Sequence, residues 1–208
     1  MAEDGSLRRS LIETGREVAS READVAAGVA GRIGESFGQA AELLLACRGR
    51  VVCAGLGKSG IIARKLAASL SSLGTPAVFV HAAEALHGDL GMVARGDVAV
   101  LLSHSGATPE VCALLEPLRE LGTPIVALTD HPDSILGREA DVVLCPGVTE
   151  EADHLGLAPT ASTTAALVMT DALAVAVARE RGFTAEHFAR THPGGSLGRD
   201  LSRGRGRS

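Results

Sequence analysis

The sequence predicts an α/β domain, a three-layer αβα sandwich in which a five-stranded parallel sheet lies between helices and N-terminal helices precede it. Three observations support this fold class. From residue 50 onward, short apolar runs alternate with helical patterns, the runs are rich in β-branched residues, and no polar residue interrupts them. Strands covered on both faces have this composition, and strand–helix alternation is typical of a parallel, doubly wound sheet.

The individual elements follow from local patterns. Residues 6–47 have apolar side chains at helical spacing, and Gly28, Gly31 and Gly34 predict a break into two helices. The predicted strands are residues 51–54, 77–80, 98–102, 125–128 and 142–144. The predicted helices between them are residues 60–73, 109–121 and 133–139. A last helix over residues 159–181 is apolar nearly all round, which is typical of a helix buried in a core or in a subunit interface.

Length and charge limit the functional class. The 208 residues are 46% hydrophobic, which allows one domain with a substantial core. We expect N-terminal helices over residues 1–48, the α/β domain over residues 49–201 and a disordered tail over residues 202–208. The net charge of -5 provides no general attraction to nucleic acid or to an anionic membrane. With no Trp or Tyr, a base-stacking platform is excluded as well.

Cysteine usage and hydropathy indicate the compartment. The four cysteines are far apart and form no C-x-x-C pair, which favours a reducing environment. The first ten residues contain no apolar leader, and the most apolar stretch, residues 165–178, includes Asp171 and is shorter than the ~20 residues that span a bilayer. We therefore expect a cytoplasmic protein with neither nucleic acid nor a membrane as a partner.

The loops that follow the predicted strands are the first candidates for a binding site, because parallel sheets bind ligands at the carboxyl ends of their strands. Residues 55–60 (GLGKSG) match G-x-G-x-x-G, but the second strand ends at His81 instead of an acid that would hold a ribose. A P-loop would need Gly at Val52. Two interpretations of this segment remain. Its backbone N–H groups, with the Ser59 hydroxyl and the Lys58 ammonium, suit one small anion; alternatively, it is a plain tight turn.

A second candidate loop, residues 103–110 (SHSGATPE), follows the third strand. Ser103, Ser105 and Thr108 precede a helix with Pro109 near its start, and hydroxyls with free N–H groups predict a phosphate cradle. Helix capping by Thr108 alone is the alternative. The loop is not a G-x-S-x-G nucleophile elbow. The pair of glutamates at residues 150–151 follows the fifth strand, and on its own it is typical of a solvated loop.

Longer segments show that the chain is similar to the sugar isomerase (SIS) domain family, and within it to the arabinose-5-phosphate isomerases. The segments are residues 55–60, 81–92 (HAAEALHGDLGM), 103–110, 155–164 (LGLAPTASTT), 181–186 (RGFTAE) and 191–198 (THPGGSLG). They stand in the family's order and spacing, and the resemblance covers roughly residues 40–201. The resemblance implies the SIS fold and an enzyme that interconverts D-ribulose 5-phosphate and D-arabinose 5-phosphate.

The resemblance also implies roles for individual residues. The implied catalytic residues are Lys58, Glu110, Glu151 and His192. The implied substrate contacts are Gly74, Thr75 and His87, beside the phosphate-binding hydroxyls of Ser59, Ser103, Ser105 and Thr108. Zinc is associated with His81 in the family, while no cofactor is expected to be required. Isomerisation through an enediol needs a base at carbon, which we expect to be His192 or Glu151, with Lys58 polarising the oxygen.

Two departures from the family leave alternatives open. Family members commonly carry two CBS domains after the SIS domain, whereas this sequence stops at Ser208, so we expect a short form that keeps its catalytic positions. His104 and Ala107 stand where relatives commonly have Asn and Glu. The alternatives are another sugar-phosphate isomerase and a non-catalytic, sugar-phosphate-binding regulatory module. We also expect a homo-oligomer, a tetramer or dimer, in which His192 serves a neighbouring subunit's site.

Overall fold

The computed structural model describes residues 2–194, with side chains from residue 5 onward. The predicted tail at residues 202–208 and the end of segment 191–198 lie outside the described residues. The helices are α1 Ala2–Val29, α2 Glu35–Ala46, α3 Gly57–Ser72, α4 Ala82–Ala85, α5 Pro109–Cys112, α6 Leu115–Glu120, α7 Ile135–Glu139, α8 Ala161–Glu180 and α9 Ala185–Thr191. The strands are β1 Val51–Gly55, β2 Ala77–His81, β3 Val98–Leu102, β4 Ile125–Leu128 and β5 Val142–Leu144.

The five strands form one parallel sheet in the order β2-β1-β3-β4-β5, which confirms the predicted fold class. The chain leaves β1 toward β2 on one side and returns to β3 on the other. This reversal makes a topological switch point between β1 and β3. In such sheets the crevice outside the carboxyl ends of these two strands is the usual ligand site.

Two apolar cores lie on opposite faces of the sheet, because successive strand residues point to opposite sides. Val51 and Cys53 of β1 belong to the core that α2, α3 and α8 cover. Val52 and Ala54 belong to the core that α4, α5, α6 and α7 cover. The three-layer αβα sandwich is therefore confirmed.

Two predicted elements differ in the structure. Strand β2 was expected to be covered on both faces, but it is an edge strand in which Val80 alone is buried. On the side of β2 that faces α3, the guanidinium of Arg64 lies 4.3 Å from the centre of the partly buried Phe79 ring. The single helix predicted over residues 109–121 is divided into α5 and α6. Between the two helices Leu114 N donates to Val111 O at 3.2 Å, a tighter turn than that of an α-helix, and Pro117 in the first turn of α6 has no N–H to donate to Ala113 O.

The helix pair at the N-terminus breaks over residues 30–34, where the three glycines predicted it. Helix α8, with 20 residues, is long and apolar enough to cross a membrane by length and composition, although 56% of its apolar window is buried inside the protein. It packs against α1, α2 and α3, and Thr164 Oγ1 donates to Glu22 of α1 at 2.9 Å. This packing confirms the prediction of a core helix.

Candidate active site

The glycine turn after β1 brings the first turn of α3 close to the strand. A Cβ on Gly60 would lie 3.0 Å from Gly55 O, so the turn is closed too tightly for a side chain at that position. Lys58 and Ser59 occupy this first turn, where the helix N–H groups are free to bind an anion. Lys58 is exposed and Ser59 is half-buried.

The hydroxyls after β3 form a connected cluster. Ser103 Oγ and Thr108 Oγ1 are 2.8 Å apart, and Gly106 N donates to Ser103 Oγ at 3.1 Å. Ser105 Oγ accepts from Ala107 N at 3.3 Å. Thr108 occupies the N-cap position of α5, but its side chain accepts no hydrogen bond from that helix. The alternative that Thr108 is simply a helix cap is therefore wrong, and its hydroxyl serves the loop.

Asp130, which the sequence analysis missed, connects the loops after β3, β4 and β5 through its hydrogen bonds. Its carboxylate accepts from Gly147 N at 2.5 Å and from Val148 N at 2.9 Å, in the loop after β5. Its Oδ2 lies 2.9 Å from His104 Nδ1 in the loop after β3. The signal was present in the sequence, because Asp130 is the first charged residue after β4 and so stands at the same edge of the sheet as the predicted loops.

Glu151 is held by the first turn of α8. Its Oε2 accepts from Thr160 N at 2.8 Å, from Thr160 Oγ1 at 3.2 Å and from Ser162 N at 3.1 Å, and its Oε1 accepts from Ser162 Oγ. Partial burial would raise the pKa of the Glu151 carboxyl, but these hydrogen bonds outweigh it and hold the pKa below its ordinary value. Glu151 is thus a fixed carboxylate, and the expectation of a solvated loop is wrong for this residue.

A small cavity lies over the carboxyl ends of β3 and β4. The polar side chains that line it are Ser59, Ser103, His104, Asp130, Ser162 and Thr163. Glu151 adjoins this cavity through Ser162. The fold therefore brings together side chains from both predicted phosphate loops and from the loop that carries the second predicted glutamate. Ser105 and Thr108 lie on the same loop as Ser103, residues 103–108, which we call the hydroxyl loop. Glu110 follows it as the second residue of α5.

The remaining predicted residues lie elsewhere in this chain. Gly74 and Thr75 lie before β2, and His192 Nε2 is 3.0 Å from Ser72 Oγ at the last residue of α3. At the helical rise per residue, Ser72 lies about 21 Å along α3 from Lys58. The His192 ring stacks on Phe188 with centroids 3.8 Å apart. A single chain thus does not bring His192, Gly74 or Thr75 to the switch-point crevice.

The residues around the predicted metal position do not fit a zinc site. His81 ends β2, and its Nδ1 is buried with no hydrogen-bond partner. His87 is exposed after α4. However, no group of three or more His, Cys, Asp or Glu side chains within residues 2–194 is arranged to hold a metal ion, whereas zinc takes three or four protein ligands.

Comparison with known proteins agrees with the fold and the motifs. The arabinose 5-phosphate isomerase KdsD of Escherichia coli K12 is 51% identical over 189 residues, which are 91% of this chain and 58% of that protein. KdsD of Pseudomonas aeruginosa is 50% identical over 196 residues, covering 94% of this chain and 60% of that protein. The chain thus spans less than two thirds of the length of these relatives.

Solved structures with the same fold include the c3406 protein of Escherichia coli CFT073 in complex with arabinose 5-phosphate. It superimposes with a TM-score of 0.83 at 42% identity and covers 89% of this chain and 98% of that one. The RpiR transcription factor's sugar isomerase domain from Sphaerobacter thermophilus gives a TM-score of 0.64 at 21% identity, covering 93% and 98% of the two chains, and shows the fold alone. The SIS domain profile matches residues 44–176. The chain therefore belongs to the SIS domain family.

Proposed function

We propose that this chain is an aldose–ketose isomerase that interconverts D-ribulose 5-phosphate and D-arabinose 5-phosphate through an enediol. The observation that carries the proposal is the cavity over the carboxyl ends of β3 and β4, where side chains from the two predicted phosphate loops adjoin the fixed carboxylate of Glu151. The names of the half-identical relatives and the arabinose 5-phosphate complex of the c3406 protein support this substrate.

The phosphate group is bound by hydroxyls and backbone N–H groups. Ser59 and Ser103 line the cavity where the two loops meet, and the hydroxyls of Ser105 and Thr108 belong to the same loop as Ser103. The free N–H groups of the first turn of α3 add donors and a favourable helix dipole. The Lys58 ammonium, exposed at the mouth of this turn, polarises the carbonyl oxygen as negative charge develops there.

Proton transfer between the two carbons needs a group whose pKa lies near the operating pH. Glu151 is unsuited to that role, because its carboxylate is engaged by several donors and the pKa of this group is held below its ordinary value. We assign Glu151 an electrostatic and orienting role and assign the proton transfer to His192. Glu110, in the first turn of α5, orients the Lys58 ammonium and the substrate.

The role assigned to His192 requires a second copy of the chain, since within one chain this residue lies at the far end of α3. The proposal therefore includes a homo-oligomer, a dimer or tetramer, with sites shared between subunits. Exposed apolar side chains offer contact surfaces for such an assembly. These include Leu7 and Leu11 on α1 and Leu155 and Leu157 in the loop after Glu151, which are 61–76% exposed. The four free cysteines support a reducing, cytoplasmic location.

The test is to incubate the purified protein with ribulose 5-phosphate and to follow arabinose 5-phosphate formation. Lys58→Met should abolish turnover. The matched control, Lys65→Met, changes a lysine of the same helix that is ion-paired to Asp171 outside the crevice, and it should stay active. Turnover of another sugar phosphate in place of ribulose 5-phosphate would favour a different isomerase. Thermal stabilisation by sugar phosphates with no turnover would favour the regulatory module, whose fold the RpiR domain shares.

A further inference from the structure

The His104 ring is held by a hydrogen bond at Nδ1, which leaves Nε2 available to a ligand. The residue lies between two hydroxyls of the loop after β3, and its side chain lines the cavity with Ser59 and Ser103. Nδ1 is 2.9 Å from Asp130 Oδ2, while within residues 2–194 no group hydrogen-bonds Nε2. The backbone is fixed too, because His104 O accepts from Asp130 N at 3.1 Å and from Thr129 Oγ1 at 3.0 Å.

The partner of His104 decides its tautomer and favours its charged form. The Asp130 side chain is 4% exposed, and as an acceptor it requires the proton on Nδ1. The hydrogen bond that His104 Nδ1 donates to Asp130 raises the pKa of His104 above its ordinary value; partial burial opposes this, and the charges of Asp130 and Glu151 reinforce it. Nε2 is then an N–H donor in the imidazolium and an acceptor in the neutral ring.

The other titratable groups around this ring come from the loops after β4 and β5. The exposed His131 ring meets His104 edge-on with centroids 5.6 Å apart. Burial, followed by the charge of Asp130, raises the pKa of the Cys145 thiol, which keeps the thiol neutral near pH 7. From α3 and α8, the cavity wall near His104 is made by the uncharged side chains of Ser59, Ser162 and Thr163.

We propose that His104 is a further substrate-binding residue, whose imidazolium donates its Nε2 proton to the phosphate group of the sugar phosphate. The hydroxyls of Ser59 and Ser103, which line the cavity, and of Ser105 on the same loop are neutral, so a phosphate dianion bound at the mouth of the cavity gains from a cationic donor beside them. An asparagine, the residue that relatives commonly have here, would provide an uncharged donor. The identity of the sugar rests on the proposed function, but the binding of a phosphate group does not.

The proposal makes phosphate binding depend on pH in one direction. The imidazolium is present below the pKa of His104 and is lost as the pH rises through it. A phosphate monoester becomes a dianion above its second pKa of about 6. Binding should therefore be tightest between these two values and weaken toward alkaline pH, whereas a site without His104 should show no such alkaline loss.

The experiment compares wild type, His104→Asn and His104→Gln, with His131→Asn as a matched control at the adjacent exposed ring. Calorimetry with a phosphate monoester that the enzyme cannot isomerise, glycerol 3-phosphate, at pH 6.5 and pH 8.5 measures binding without turnover. We expect His104→Asn to bind about tenfold more weakly than wild type at pH 6.5, as the loss of a charge-assisted hydrogen bond predicts, and the deficit to be smaller at pH 8.5. In ribulose 5-phosphate turnover, KM should rise by a similar factor while kcat changes less than about twofold.

Two results would overturn the proposal. One is wild-type affinity for glycerol 3-phosphate in both His104 variants at both pH values. The other is a fall in kcat with KM and phosphate affinity unchanged, which would make His104 a proton-transfer group. If the variants fail to fold, a 15N NMR titration of the wild-type imidazoles, with and without glycerol 3-phosphate, measures the pKa of His104 and tests the proposal. Saturating glycerol 3-phosphate should raise the pKa of His104, and an unchanged value refutes the proposal. Phosphate binding through His104 without turnover would contradict the proposed function alone.

Discussion

Replacing Gly106 with alanine should destabilise the protein more than an ordinary glycine substitution. Gly106 has φ +61° and is enclosed within the hydroxyl loop. Its N–H donates to the Ser103 carbonyl at 3.0 Å, and its carbonyl accepts from Leu136 N at 3.0 Å. A Cβ at this position would overlap Ser134 Oγ and would lie 2.6 Å from Ser134 Cβ. The substitution therefore combines backbone strain with a steric clash.

The two contributions can be separated with a second glycine. Left-handed backbone costs a residue with a Cβ about 1–2 kcal/mol, and inserting a methyl group into a packed site costs about 1–3 kcal/mol more. Gly106→Ala should therefore lose about 2–5 kcal/mol of unfolding free energy. Gly122 has φ +71° and no atom within 4 Å of an added Cβ. Gly122→Ala should lose the strain alone, about 1–2 kcal/mol.

Urea unfolding followed by circular dichroism measures both losses. All variants must be compared at one protein concentration, because an oligomer's apparent stability depends on it. Equal losses in Gly106→Ala and Gly122→Ala would refute the reasoning, since they would show that no clash with Ser134 exists. Gly106→Ala should also raise KM, because the shifted loop displaces the Ser103 hydroxyl.

Three further predictions concern the site. Glu151→Gln should lose about 1 kcal/mol of unfolding free energy near pH 7, as for a lost helix cap. Because the folded-state pKa of Glu151 lies below its ordinary value, this loss should be full above pH 4.5 and vanish as the pH falls through the folded-state pKa, as urea titrations would show. Co-expressed Lys58→Met and His192→Asn chains should regain roughly one quarter of wild-type activity if two copies share each site, and no recovery contradicts sharing. EDTA should leave the isomerase rate unchanged, since residues 2–194 hold no metal-binding group of three, and a loss that zinc restores would contradict this.

The fold was predictable because its elements leave local signals. Strands covered on both faces are continuous apolar runs, so β1, β3, β4 and β5 could be located from composition alone. The positions of the two loops that we propose bind phosphate were predictable for a related reason. Polar residues directly after a buried strand must stand at the carboxyl edge of the sheet, wherever the strand lies in it.

Burial of β2 and the helix break near Pro117 were less well predicted. An edge strand and a central strand can have the same apolar residues, because position in the sheet depends on which neighbours form hydrogen bonds. Pro117 stands in the first turn of α6, where proline is tolerated, so the sequence allowed either one helix or two.

The sequence by itself determined a parallel α/β domain, its strand-end loops and, through resemblance, the family. The tertiary structure alone decided which of these residues meet. It brought Asp130 from the end of β4 against His104 after β3, and it engaged Glu151 with the first turn of α8. It also placed His192 at the opposite end of α3 from Lys58. Local patterns report burial and backbone preference, whereas a contact between distant residues depends on how the strands are ordered in space.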